Sequence, residues 1–147
     1  MLPHLAALAG AYGLALPIGW DRERQERSAG LRTFPLVALA SCGFIQASEQ
    51  LLANSPDGMA RIVEGVITGI GFIGGGAILK QGAMVKGTAT AASLWATGAT
   101  GAAVGLGAYD VAVAIALFTF VTLRAITPIE NSIPVEQDSS GKRDPNS

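Results

Sequence analysis

Apolar residues in this chain come in long runs nearly free of charge, separated by short charged segments. They do not form the one-sided stripes of a soluble helix. The first run is Pro3–Trp20, with Pro17 a kink near its end. The second starts at Phe34–Ala47 and extends toward Ala53; the third is Ile62–Leu79, the fourth Thr88–Ala108 and the fifth Val111–Leu123. Each approaches the roughly 20 apolar residues that a bilayer crossing needs. A soluble helical domain would carry charge on the outer face of every helix, and these runs do not. The pattern therefore predicts an all-α fold, a polytopic membrane helix bundle of about five transmembrane helices, over residues 1–124. Residues 125–147 are polar with scattered prolines, too hydrophilic to bury a core, and are expected to form a disordered cytoplasmic tail.

The charges between the runs set an orientation. Five crossings put the two ends on opposite sides. With the N-terminus outside and the C-terminus inside, the inner side holds Arg22, Arg24, Arg27, Arg32, Lys80, Lys86, Arg124, Lys142 and Arg143, and the outer side only Arg61. The positive-inside rule selects that arrangement. Trp20 and Tyr109 fall where interfacial aromatic belts lie. Thr33-Phe34-Pro35 reads as a helix start, a hydroxyl cap followed by proline in the first turn.

The third run contains GIGFIGGG, Gly69–Gly76, whose first six residues fit G-x-G-x-x-G. As a dinucleotide loop it would need a preceding strand and an acid about 20 residues on. The flanks EGVIT and AILK bound no strand, and the next acid after Glu64 is Asp110. On a helix, Glu64, Thr68, Gly71 and Gly75 share one side with Gly65, Gly69 and Gly76 beside them. Val66, Ile67, Ile70, Ile73, Ala77 and Ile78 lie opposite, as a lipid-facing ridge. The small-x-x-x-small spacings Gly65/Gly69 and Gly71/Gly75 let membrane helices approach closely. The fourth run offers a matching face of Thr90, Ser93, Thr97, Thr100, Gly101 and Val104. The expectation is a helix-packing surface of Gly65, Gly69, Gly71, Gly75, Gly76 and Gly101.

Composition narrows the chemistry. Half of the 147 residues are hydrophobic and the net charge is −1, with no basic patch interleaved with aromatics, so no nucleic-acid partner is expected. Cys42 is single and lies in an apolar segment, which excludes an internal disulfide. The start MLPHLAALAG lacks the basic region of a cleavable signal peptide. His4 has no second ligand nearby in sequence, and no Ser/His/Asp or Cys/His set can be assembled. Neither an enzyme nor a cofactor is expected.

Two charged regions remain. Glu49, Asp57, Glu64 and Asp110 make the outer side net negative against Arg61, a face that attracts cations. Mg2+ needs only one or two carboxylates, so Glu64 and Asp110 are weak metal candidates, although they also read as helix ends in water. Glu64 begins the polar face of the third run and must face protein or water, with Arg61 one turn earlier as its partner. On the inner side DRERQERSAGLR alternates signs, as a solvated amphipathic turn or short helix does. Its charge density also marks a functional motif of Asp21, Arg22, Glu23, Arg32 and Thr33.

In order, Gly19-Trp20-Asp21-Arg22-Glu23, Gly30-Leu31-Arg32-Thr33, Gly69–Gly76 and Lys86-Gly87-Thr88-Ala89-Thr90-Ala91-Ala92-Ser93-Leu94-Trp95 resemble the membrane domain of the MgtC/SapB family, over nearly the whole chain to Arg124. The resemblance implies a multi-pass bacterial inner-membrane protein linked to magnesium homeostasis and adaptation to low magnesium. It adds Thr90, Ser93 and Trp95 to the candidate functional motif. Ala89 departs from the Asn or Thr common in the family. Many members continue into an ACT-like C-terminal domain, and here the transmembrane domain is expected alone. For function it implies action through other membrane proteins, as proposed for some members with F-type ATP synthase. The alternative is a Mg2+ transporter or channel with Glu64 and Asp110 at its entry. The expected partners are the lipid bilayer, a membrane protein and Mg2+; an oligomer is left open.

Overall fold

A computed structural model describes residues 2–25, 29–82 and 84–130. It holds five helices, in chain order α1 (Leu2–Arg24), α2 (Thr33–Leu52), α3 (Pro56–Gly76), α4 (Thr88–Gly105) and α5 (Tyr109–Glu130). Two of them, α1 and α3, are long and apolar enough to cross a membrane by length and composition. α4 is the central helix and packs against each of the other four.

The bundle closes around small residues. α1 buries Ala7, Ala11, Ala15 and Ile18, and α2 buries Phe34, Val37, Ala38, Cys42 and Ile45, both at helical spacing. α4 is buried on most sides, leaving a stripe of Thr88, Ala92 and Trp95 exposed, because Ala, Gly, Ser and Thr let its neighbours come close. Large apolar side chains point outward instead, among them Phe44, Phe72 and Phe118. In a bilayer that exterior is already solvated, so close packing and hydrogen bonds, not expulsion of water, hold such helices together.

Several element ends differ from the sequence expectations. α3 starts at Pro56, well before Ile62, because Ser55 Oγ accepts from the Gly58 amide at 3.2 Å and Pro56 fits the first turn. It stops at Gly76, not Leu79. Beyond it the chain forms a hairpin that hydrophobic periodicity did not reveal, β1 (Leu79–Gln81) paired antiparallel with β2 (Met84–Lys86). Gly87 then takes φ +91°, and a side chain there would collide with the Ala77 carbonyl. α4 ends in a Schellman turn: Gly107, at φ +77°, donates to Val104 O and Ala108 to Ala103 O. α5 continues to Glu130, so the expected tail boundary at 125 falls inside a helix; residues 131–147 lie outside those described. The Thr33 side chain does not cap α2. The Gly30 carbonyl does so, accepting from the Thr33 and Phe34 amides at 3.0 and 3.2 Å.

Candidate functional site

The two motifs either side of the first turn meet at one end of the bundle. Gly19 lets the chain fold back: a Cβ there would lie 3.2 Å from Leu31 Cα and 3.3 Å from Gly30 O. Glu23 Oε2 accepts from the Leu31 amide at 3.0 Å, and a side chain on Gly30 would strike that carboxylate. Glu23 thus tethers the returning strand of the turn to the last turn of α1.

Under this turn Asp21 and Arg22 are buried, 5% and 2% exposed. The expectation of a solvated turn fails for these two residues. Asp21 Oδ2 accepts from Arg22 Nη2 at 2.9 Å and from Gln25 Nε2 at 2.8 Å, while Arg22 Nη2 also reaches Gln25 Oε1 at 3.2 Å. On its other oxygen Asp21 meets Arg124 Nη1 of α5 at 3.7 Å. A buried ion pair gains little net stability over an apolar pair, but losing one partner is costly, so such pairs serve to fix one arrangement. Here the arrangement is that of α1, its turn and the end of α5. Arg124 is largely exposed, so its pull on Asp21 is screened. Gln25 and Arg124 are partners of this cluster that sequence reasoning missed. The signal for Arg124 was its place as the first charge after the last apolar run; that charge counted only toward orientation.

The other candidates scatter. Arg32 is exposed and Thr33 half-buried. Thr90 and Ser93 are buried in α4, whereas Trp95 is 50% exposed. The α4 hydroxyls turn inward on their own helix: Ser93 donates to Thr90 O, Thr97 to Ser93 O and Thr100 to Ala96 O, at 2.8 to 3.0 Å. Glu64 and Asp110 are exposed, and no ion pair joins Glu64 to Arg61 among the described residues. Nor does any group of three or more His, Cys, Asp and Glu side chains converge there.

The glycine seam needs correction. A Cβ on Gly65, Gly69, Gly71, Gly75 or Gly76 would meet nothing within 4 Å. α3 instead docks on α4 through Ile70, which lies against Gly98, and Gly74, where an added Cβ would come within 3.2 Å of Ala91 O. Ile70, expected on the lipid-facing ridge, is buried. Gly101 does sit in a tight helix contact, but its neighbour is the Ala38 backbone of α2, not α3.

Fold, apolar exterior and spanning helices together define a small helical membrane protein. A family model described as the MgtC family matches residues 8–132, and the chain belongs to that family. It is 37% identical over 142 residues to Protein MgtC of Salmonella paratyphi A, covering 95% of this chain and 60% of that protein. Protein MgtC of Brucella abortus is 37% identical over 129 residues, covering 87% of this chain and 53% of that protein. An uncharacterized protein of Synechocystis is 38% identical over 129 residues, 88% and 54% of the two chains. The chain thus spans about 60% of the length of the Salmonella relatives it matches. No solved structure matches it significantly.

Proposed function

We propose that this protein serves magnesium homeostasis from the bacterial inner membrane, as a multi-pass protein that binds another membrane protein rather than carrying an ion. Its N-terminus faces outward and the Asp21–Arg22 cluster lies at the cytosolic end, a reading that the placement of basic residues supports. The observation that supports regulation over transport is the state of α4. Its Ser93, Thr97 and Thr100 hydroxyls donate to carbonyls of their own helix, whereas carriers expose polar groups and broken helices at midplane.

Purified protein in liposomes, with a Mg2+ reporter inside, tests this reading. No flux above empty vesicles is expected, and a membrane protein should co-purify from magnesium-starved cells in mild detergent. Asp21→Asn, which leaves Arg22 without its carboxylate, should lower that co-purification. Mg2+ flux abolished by Glu64→Ala would overturn the proposal in favour of a transporter with Glu64 and Asp110 at its entry.

A further inference from the structure

Between α2 and α3 runs an open groove of about 400 Å3, walled by apolar side chains including Val37, Phe44 and Ile73. Its lining on the α3 side includes Gly65 and Gly69, and Arg61 stands at one end. We infer that this groove is a phospholipid site, holding one acyl chain along Gly65 and Gly69 and the headgroup of phosphatidylethanolamine at Arg61.

Three observations carry the assignment. The first is length. Arg61 to Ile73 spans twelve helical steps, about 18 Å at 1.5 Å each, close to half of the ~30 Å hydrocarbon core. That is the reach of one leaflet's chains. The second is width. The groove is open along one side and offers about 400 Å3 over that length, a slender slot rather than a broad basin. A carbon chain in contact at about 4 Å with the walls fits such a slot.

The third is charge. Asp57, Arg61 and Glu64 lie at i, i+4 and i+7 of α3, all exposed, and so share a face. A guanidinium recognises phosphate with charge-assisted hydrogen bonds. Of the three only Arg61 lines the groove; the carboxylates beside it, on its side away from the groove, complement an ammonium group and repel a headgroup that is only anionic. A zwitterionic headgroup meets both demands, and phosphatidylglycerol does not. Below it, the open glycines Gly65 and Gly69 bring the chain against helix backbone.

Native mass spectrometry of the full chain, transferred from nanodiscs holding equal phosphatidylethanolamine and phosphatidylglycerol, reads the site directly. Wild type should retain one phosphatidylethanolamine. Gly69→Leu fills the groove yet meets no neighbour within 4 Å on its Cβ, so its circular dichroism should match wild type while occupancy falls about tenfold. The surface change Arg61→Gln should lower occupancy similarly, and the double change Asp57→Asn with Glu64→Gln should shift retention toward phosphatidylglycerol. Equal retention of both lipids by wild type, or undiminished retention in Gly69→Leu and Arg61→Gln, would overturn the inference. So would a Gly69→Leu variant that keeps its lipid but loses a dimer, which would assign the groove to a second copy.

Discussion

α3 and α4 are both glycine-rich helices, joined by a short hairpin, and they use glycine in opposite ways. In α4, backbone and side chains of neighbours close on the glycines: Ile70 on Gly98, the Ala38 backbone on Gly101, and Cys42 O at 3.0 Å from a Cβ built on Gly105. In α3, Gly74 alone meets a neighbouring backbone, and Gly65, Gly69, Gly71, Gly75 and Gly76 face open space. A small-x-x-x-small spacing therefore licenses close approach without saying which helix takes it up. What separates the two helices in sequence is the company the glycines keep. α4 sets Thr90, Ser93, Thr97 and Thr100 among its glycines, and the last three can be buried because each donates to a carbonyl one turn back. α3 sets Ile, Phe and Val among its own, residues at ease in lipid.

The largest effect should come from the tightest α4 contact. Gly101→Ala places a methyl against the Ala38 carbonyl and Cα, and backbone of a packed helix cannot step aside as a side chain can. α2 and α4 must then separate, at a cost of about 3 kcal/mol or more. Thermal unfolding in detergent should show a clear loss of Tm. A variant as stable as wild type would remove the distinction between closed and open glycines.

Next in size is the residue that docks α3. Ile70→Ala deletes the side chain lying against Gly98 and should cost about 2 kcal/mol. That is the low end for Ile→Ala, because lipid solvates the exposed face as well as protein does and only packing is lost. Cysteine cross-linking between α3 and α4 should weaken in parallel. If Ile70→Ala is silent while Ile73→Ala is costly, the facing of α3 has been assigned to the wrong side.

These corrections show what the sequence made legible. Helix number and the buried hydroxyl face of α4 came from runs and spacing, which depend on local pattern alone. The hairpin at Leu79–Lys86 did not, since strands of three residues carry no periodicity and Gly87 signals its turn only through a positive φ. The motif around Asp21 was visible as a dense charge cluster, but not that Asp21 and Arg22 are buried. Their burial depends on Gly19 and Gly30 folding the turn back and on Arg124 arriving from α5, about 100 residues later. α3 was misread because a helix wheel ranks faces by polarity. Ile70 and Ile73 are identical by that measure, and the position of Gly98 opposite one of them decides which is buried.

The smallest effect is the sharpest test of the open face. Gly75→Ala in α3 adds a methyl that meets nothing within 4 Å. Replacing glycine in a helix interior gains up to about 1 kcal/mol from lower backbone entropy in the unfolded chain, less in a bilayer where the helix is already enforced. The variant should therefore unfold at a temperature equal to or slightly above wild type, opposite in sign to Gly101→Ala. A loss of stability would mean that this glycine is covered in the working protein by a surface outside this chain. The sign, read at unchanged helix content and in dilute detergent, then separates the two cases: a gain places Gly75 in lipid, and a loss that disappears on dilution places it in an interface. Comparing Gly71→Ala with it would map how far along α3 that surface runs, because the two positions are one turn apart on the same side of the helix.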